Sequence, residues 1–309
     1  MVTGKYCLLT NDVECHSIWY NTLRDETGKK VLEEGMPLLL EIYAQYNIKS
    51  TFFFTGNIAE KYPGVVKMVL PYGHEIGSHG YSHQVDEAFD LLPFEKQVEH
   101  LQRSKDLLEQ ISGKEVISFR APALRVNKYT PSALIETGYK IDSSVPSQRF
   151  DMFLSFGSIK KLKWLIAPRL PYRIHSSSLS RKGTAPLIEI PLTALIFPYA
   201  GTTLRVFPFI TRIQRNLLKL ESSLNKKPVV FDIHPNEFLG EKSEKRIIKR
   251  RSKNFFSYLL GDMVRAKLKV KNLGNAAVPL YKNEIEFYKK GNFEFTTLRD
   301  YCRIQGLIE

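Results

Sequence analysis

The sequence predicts an α/β protein built around a mostly parallel sheet. Short apolar runs of strand length alternate with longer segments in which apolar residues recur at helical spacing. Such alternation is typical of parallel sheets, arranged either as a barrel or as a doubly wound layer. The 309 residues are 43% hydrophobic and 25% charged, which is the composition of a packed globular protein. No internal repeat or obvious linker interrupts the chain, so we expect a single domain over residues 1–309.

Seven runs are predicted to form strands. Each is short, bounded, and rich in β-branched or aromatic residues, as buried strands are. In chain order they are YCLLTND (6–12), KSTFFFTG (49–56), HEIGSH (74–79), VISFRAP (116–122), YKIDSS (139–144), PLIEIP (186–191) and PVVFDIH (228–234).

Two segments between these runs have a clear helical period. EEGMPLLLEIYAQY (33–46) and PFEKQVEHLQRSKDLLEQI (93–111) repeat apolar residues at helical spacing, and Gly113 follows the second, as glycine often does at a helix end. Loop-like material is concentrated near 145–185 and 235–280, and both stretches are basic. We therefore expect two basic insertions within the single domain.

The positive charge is concentrated in the second half of the chain. The net charge is +13, yet residues 1–150 hold 16 Lys and Arg against 19 Asp and Glu, whereas residues 151–309 hold 29 against 13. Such a field attracts phosphate, nucleic acid or an anionic membrane surface, or it is a solvated face that favours solubility. No nucleic-acid-binding motif accompanies the charge, so a nucleic-acid partner is not expected.

The basic stretch 245–271 has two interpretations. Its cations are interspersed with apolar residues, so it could form an amphipathic helix at a membrane surface or a surface helix docked on the core. No run of eighteen apolar residues is present, and MVTGKYCLLTND lacks the basic start and apolar stretch of a signal peptide. We predict a cytoplasmic protein, peripheral at the inner membrane face if the basic half meets lipid.

Side chains with acid, base or ligand chemistry stand where the predicted strands end. They are Asp12 and Glu14 after the first run, His79 with His83 after the third, and Arg120, Asp142 and His234 in three later runs. In parallel α/β barrels the active site is built at the carboxyl ends of the strands. A single such residue is commonly a helix cap or turn former, but five strands that end this way indicate a shared site.

The HGYSH segment predicts a metal site. His79 and His83 are four residues apart and would project the same way from a helical turn or a loop. A carboxylate from the first strand end would complete a set of two histidines and one carboxylate, which suits Zn²⁺. Exposed or hydrogen-bonded histidines are the alternative. His74 is expected to be structural, no role is assigned to His16, His100 or His175, and the three cysteines lack C-x-x-C spacing.

Five segments resemble, in the same order, the motifs of the polysaccharide deacetylases of the NodB-homology type, carbohydrate esterase family 4. They are TNDVE (10–14), HGYSH (79–83), RAP (120–122), YKIDSSV (139–145) and FDIH (231–234). The terminal FEFTTLRDY (293–301) also looks like the closing strand and helix of that family. The resemblance implies a distorted (β/α) barrel with seven or eight parallel strands and a divalent metal, usually zinc.

The resemblance also implies roles for individual residues. His79 and His83 would be metal ligands, Asp12 the catalytic base, Arg120 the partner of that base, and His234 the general acid. The usual adjacent aspartates are absent because Val13 follows Asp12, so the third ligand would be Glu14. A spacing of two on an extended strand keeps both carboxylates on one face. Asn11 in place of an aromatic residue, and the dipeptide 123–124 in place of Tyr-Gly, alter the expected groove wall.

These roles predict a metal-dependent hydrolase that removes an N-acyl group, with N-acetyl favoured, from an amino sugar in a glycan or a lipid-linked saccharide. Asp142 or Asp232 would orient His234, and Asp142 is favoured because Asp232 shares a strand with His234. Glu189 either lines the site or pairs locally. The alternatives are a deformylase of a lipid-linked amino sugar, an amide hydrolase related to allantoinases, and an inactive saccharide-binding module.

Overall fold

The computed structural model describes residues 4–84, 86–149, 164–241 and 263–309. Its strands, in chain order, are β1 (Lys5–Val13), β2 (His16–Ser17), β3 (Thr22–Leu23), β4 (Thr51–Phe54), β5 (Glu75–Ser78), β6 (Ser118–Phe119), β7 (Ile141–Asp142), β8 (Tyr172–His175), β9 (Ser178–Lys182), β10 (Ile188–Glu189), β11 (Ala194–Leu195), β12 (Phe197–Pro198), β13 (Val229–Ile233) and β14 (Phe293–Phe295).

Helices follow most of the parallel strands. They are α1 (Asp25–Lys30), a π-helical turn (Val31–Gly35) that leads into α2 (Met36–Tyr46), α3 (Gly56–Lys61), α4 (Gly64–Lys67), α5 (Phe94–Ser112), α6 (Thr130–Glu136), α7 (Gly201–Val206), α8 (Pro208–Asn225), α9 (Arg265–Lys269), α10 (Ala277–Lys290) and α11 (Leu298–Ile304). Short 3₁₀ turns lie at Leu70–Tyr72, Pro122–Leu124, Pro235–Phe238 and Gly274–Ala276. None of the described helices combines the length and apolar character needed to cross a bilayer.

Seven parallel strands form the barrel wall. They are paired in the order β13, β1, β4, β5, β6, β7 and β10, and antiparallel β8 and β9 extend the sheet beyond β10. The wall closes where Thr193, just after β10, donates its backbone N–H to the carbonyl of Val230 on β13 (3.3 Å). All seven runs predicted from the sequence are strands of this wall, so the predicted distorted barrel is confirmed.

The inside of the barrel is apolar at one end and polar at the other. Alternate residues of β1 face inward, and Leu8 packs in the interior cluster with Phe53 and Val230. Burying each such side chain stabilises the fold by about 1.5–3 kcal/mol. Leu298 of α11 closes this end of the interior. By the same alternation Asp12 continues the inward face towards the carboxyl end of β1, where the candidate site lies.

The second half of the chain differs from the expectation. The stretch 145–185, expected to be loop-like, contains the β8–β9 hairpin, in which only some side chains, such as Ile174 and Leu179, are buried. The 18-residue helix α8 was not predicted. Of the stretch 245–271, residues 245–262 lie outside the described residues, so its two interpretations stay open.

Candidate active site and metal centre

The carboxyl ends of four barrel strands bring the predicted residues together. Asp12 lies on β1 and Glu14 just beyond it, His79 follows β5, Arg120 follows β6, and His234 follows β13. Two groups of ligand-type atoms result, each with all its atoms within 4.8 Å of one another: Glu14, His79 and His83, and beside it Asp12, Asp232 and His234.

The first group has the geometry of a metal centre. Glu14 Oε2 lies 2.9 Å from His83 Nε2, and the Nε2 atoms of His79 and His83 are 3.3 Å apart. His79 Nδ1 lies 2.8 Å from the backbone carbonyl of Arg120, and a carbonyl can only accept, so Nδ1 carries the proton. The lone pair of His79 Nε2 therefore faces His83, as it does in histidines that bind metals.

The charges of two members of this group, His79 and Glu14, fit a divalent cation. Burial, together with the neighbouring His83 and Arg120, lowers the pKa of His79 to about 4, so its imidazole is neutral. Burial raises the pKa of Glu14, but the adjacent His83 outweighs it and the net pKa is well below the usual value. Neutral imidazole and ionised carboxylate are the forms that coordinate metals. Two histidines and a glutamate match a catalytic zinc site that keeps an open position.

Arg120 holds two carboxylates beside the metal group. Its Nη1 donates to Asp12 Oδ1 (2.9 Å) and to Asp232 Oδ1 (2.7 Å). Its Nε donates to the Ser143 carbonyl (2.9 Å), and its guanidinium lies over the ring of Phe53, 4.5 Å from the centroid. The side chain is completely buried, so these contacts fix its position.

The two carboxylates on Arg120 differ in ionisation. Burial opposes the charge of Asp12, but Arg120 and the neighbouring histidines overcome it and lower the pKa of Asp12. Burial and the charge of Asp12 raise the pKa of Asp232 to about 7. Asp12 therefore stays ionised at neutral pH, while Asp232 stands near its titration point.

His234 lies between the two groups. Its Nε2 is 3.9 Å from Glu14 Oε1 and 4.0 Å from Asp12 Oδ2, and its Nδ1 is 3.4 Å from Glu237 Oε1. Burial lowers the pKa of His234, but Asp232, Glu237 and Asp12 outweigh it and raise the pKa to about 10. The imidazole is thus cationic at neutral pH, with one N–H directed to Glu237 and the other towards the site.

Of the two aspartates considered for orienting His234, Asp232 is the one that the described contacts place beside it. His234 Nδ1 faces Asp232 (3.8 Å) and Glu237, whereas Asp142 accepts a hydrogen bond from Ser144 Oγ (2.6 Å) and pairs with Glu189 across the β7–β10 register. Asp142 and His234 lie on different strands, so these contacts favour Asp232, which lies two residues before His234, as the residue that orients the ring. Glu189 pairs locally with Asp142 and is completely buried.

Sequence reasoning missed two residues at the site. Glu237 accepts the backbone N–H of His234 (3.3 Å) and pairs with buried Arg205; its position three residues after His234, at the start of a helical turn, is a capping signal that could have revealed it. His16 lies beside His83, with ring centroids 6.1 Å apart, and no sequence signal identified it. His74 is in the core, where its Nδ1 accepts the Ser50 N–H (3.1 Å).

Comparisons with known proteins show a similarity to polysaccharide deacetylases. The polysaccharide deacetylase family model matches residues 25–141, which include His79, His83 and Arg120. The chain is 30% identical over 118 residues to a peptidoglycan deacetylase of Helicobacter pylori, a match that covers 38% of this chain and 39% of that protein. Residues 25–141 of the chain are thus similar to the polysaccharide deacetylase family.

Solved structures of other proteins share this fold over most of the chain. A putative polysaccharide deacetylase from Mycobacterium smegmatis has a TM-score of 0.54 at 20% identity, covering 75% of this chain and 78% of that one. A probable polysaccharide deacetylase from Pseudomonas aeruginosa has a TM-score of 0.58 at 15% identity, covering 96% and 90%. The match to the Helicobacter pylori protein spans well under half of that protein.

Proposed function

We propose that the protein is a metal-dependent carbohydrate de-N-acetylase, which hydrolyses the N-acetyl group of an amino sugar in a glycan. One observation carries the proposal: an ionised carboxylate, Asp12, and a cationic imidazole, His234, both border the Glu14, His79 and His83 group. Amide hydrolysis needs a base for the attacking water and an acid for the departing amine, and Asp12 and His234 would supply them.

Glu14, His79 and His83 would hold the metal, and Zn²⁺ suits this donor set. When bound, a divalent cation supplies Lewis-acid chemistry, because it polarises a carbonyl oxygen and lowers the pKa of water. Asp12 is not needed as a ligand, since Arg120 already binds its Oδ1.

Asp12 would act as the general base. Its Oδ1 is held by Arg120, while its Oδ2 faces His79 Nε2 (3.6 Å) and His234 Nε2 (4.0 Å), on the side where the reacting water must stand. Arg120 keeps the carboxylate ionised and oriented, so its Oδ2 is ready to accept a proton from that water.

His234 would act as the general acid. Its Nδ1 is directed to Glu237 (3.4 Å), and Glu237 is held by Arg205, so Nε2 points into the site with a proton to donate. The amine of the sugar leaves only after it receives a proton, because a free amide anion is too basic to depart. Glu237 and Asp232 are positioning residues, since they act through His234.

The substrate class rests on the relatives. The Helicobacter pylori relative is a peptidoglycan deacetylase, so we propose an N-acetylated glycan, with lipid-linked saccharides as the next class to assay. The cytoplasmic location predicted from the sequence is likewise a proposal, and cell fractionation tests it.

The test is acetate release by purified, zinc-loaded protein from peptidoglycan, N-acetylglucosamine oligomers and lipid-linked N-acetylated saccharides, with formate release from N-formylated counterparts as a second channel. We expect acetate, and His79→Ala should bind zinc at least about tenfold more weakly. His175→Ala is the matched control, because His175 contacts only its own turn at Ser177 among its described hydrogen bonds. Absence of acetate from every substrate, with zinc binding unchanged in His79→Ala, would refute the proposal.

A further inference from the structure

Helix α8 is amphipathic, but mostly polar side chains face the barrel and large apolar side chains face outward. The side chains that it buries against the barrel are Thr211, Gln214, Leu218 and Ser222. Its exposed side carries five large apolar residues: Phe209 (73% exposed), Ile213 (48%), Leu217 (52%), Leu220 (57%) and Leu224 (77%). A surface helix ordinarily places its apolar residues on the core and its polar residues in water.

The five exposed residues form one continuous stripe, which we call the α8 apolar face. Their spacings of four, four, three and four residues confine them to an arc of about 80° on a helix with 100° per residue. On the opposite side, Gln214 donates to the carbonyls of Leu195 (3.1 Å) and Phe197 (2.9 Å), so polar contacts anchor the helix to the barrel. The helix is therefore held in the orientation that directs its apolar residues outward.

Apolar exposure continues beside the helix. Ile196 (59% exposed) lies between the two residues whose carbonyls bind Gln214. Ile166 (83%) and Leu170 (44%) flank Arg169, which pairs with Glu221 of α8 (2.5 Å). Large contiguous apolar patches on soluble proteins mark interaction surfaces.

The charges around the α8 apolar face select an anionic partner. Arg212 and Lys219 lie along one border of the stripe. Glu221, the sole acid in the helix sequence, is paired with Arg169 and with Lys227 (3.5 Å), so it presents no net negative charge. A second copy of the chain would bring like charges together at this border, because the net charge of each copy is +13.

The combination of an apolar stripe and a cationic border matches helices that lie in the plane of a membrane interface. Along the chain, α8 directly follows α7, whose Arg205 pairs with Glu237 beside His234. We propose that α8 docks the protein on an anionic lipid bilayer through Phe209, Ile213, Leu217, Leu220 and Leu224. This proposal does not depend on the reaction that the site catalyses.

Vesicle sedimentation of the full chain tests the proposal without any substrate. Phosphatidylcholine vesicles are compared with vesicles that contain about 30% phosphatidylglycerol, at low and high salt. We expect binding to the anionic vesicles, weakened by at least about tenfold in Leu217→Gln/Leu220→Gln, because two half-exposed leucines lose their contact with the acyl region. The matched control is Leu91→Gln, since Leu91 is 57% exposed, as Leu220 is, but lies outside α8.

Three outcomes would overturn the proposal. Equal binding by the parent and Leu217→Gln/Leu220→Gln would show that other basic residues bind the lipid. A concentration-dependent dimer that the double substitution abolishes, without vesicle binding, would assign the face to a second copy. A lower melting temperature in the double variant than in Leu91→Gln, with vesicle binding unchanged, would show that another part of the chain covers the face. Gel filtration and thermal melts on the same samples separate these cases.

Discussion

Two pairs of buried carboxyl groups lie at the carboxyl end of the barrel, and they differ in ionisation. Asp12 and Asp232 share the guanidinium of Arg120, which binds both. Asp142 and Glu189 face each other across β7 and β10, and no described Lys, Arg or His forms an ion pair with either. We call these the cation-bridged pair and the cation-free pair.

The difference shows that a neighbouring cation decides whether a buried carboxyl group is ionised or protonated. Burial and the proximity of Asp142 raise the pKa of Glu189 well above its usual value, and burial also raises the pKa of Asp142. The cation-free pair thus holds a proton at neutral pH and serves as a buried hydrogen-bonded link between strands. In the cation-bridged pair Arg120 keeps Asp12 ionised, which is the form that a general base requires.

The largest effect should come from removing the bridging cation. Arg120→Met leaves Asp12 and Asp232 buried without their partner, which typically costs about 3–5 kcal/mol of unfolding free energy. Acetate release should become undetectable. Chemical denaturation checks stability against Arg125→Met, whose pair with Asp90 (2.7 Å) is partly exposed and should be worth no more than about 1 kcal/mol. Similar losses in the two variants would refute the structural role of Arg120.

The next largest effect is expected for Asp12→Asn in the cation-bridged pair, and Asp142→Asn in the cation-free pair is its comparison. Asp12→Asn should lower kcat by about 10²–10⁴-fold, because the amide cannot accept the proton of the attacking water. Asp142→Asn should change kcat by less than about fivefold, since Asp142 does not touch the site. Acetate release at saturating substrate, with circular dichroism to confirm folding, measures both. A larger loss of kcat in Asp142→Asn would restore Asp142 as a functional residue.

A smaller effect is expected at the positioning residue Glu237, whose charge helps to raise the pKa of His234. Glu237→Gln removes that charge, so the pKa of His234 should fall and the alkaline limb of the pH–rate profile should move to lower pH. Because Glu237→Gln also leaves Arg205 unpaired, Arg205→Met/Glu237→Gln is measured beside it. If the alkaline limb stays in place in both variants, Glu237 does not act through His234.

The smallest effect on activity belongs to Glu189→Gln, which should leave kcat unchanged but alter the pH dependence of stability. Folded Glu189 retains its proton above the pH at which the unfolded side chain, with a pKa of about 4.3, releases it. The unfolding free energy of the parent therefore falls as pH rises above that value, until the folded pKa is reached, by up to about 1.4 kcal/mol per pH unit. Glu189→Gln should remove this slope in denaturation measured from pH 5 to pH 8; an unchanged slope would contradict a protonated Glu189.

The barrel and most of the site could be predicted because their signals are local. Each wall strand is a short apolar run, and its terminal side chain, such as Asp12 or His234, follows directly in the sequence. Parallel pairing then brings these strand ends to one edge. The terminal β14 and α11 were predicted differently, from the resemblance of FEFTTLRDY to the closing strand and helix of the polysaccharide deacetylases.

The remaining features depend on contacts that the sequence does not display. The choice between Asp142 and Asp232 requires knowing that β13 and β1 are neighbours, so that Arg120 and His234 both reach Asp232. Helix α8 was not predicted although its apolar residues recur at helical spacing, and the sequence could not show that this apolar side faces outward. The β8–β9 hairpin was not predicted because its side chains are only partly buried, so its sequence lacks the apolar run of a buried strand.

The most direct test of the central claim is zinc binding by Asp12→Asn and Glu14→Gln, measured by calorimetry beside acetate release. The account predicts that Asp12→Asn binds a zinc ion about as tightly as the parent and releases acetate about 10²–10⁴-fold more slowly, whereas Glu14→Gln binds zinc at least about tenfold more weakly. Loss of zinc binding in Asp12→Asn, or parental affinity in Glu14→Gln, would contradict the assignment of Glu14 as the ligand and Asp12 as the base.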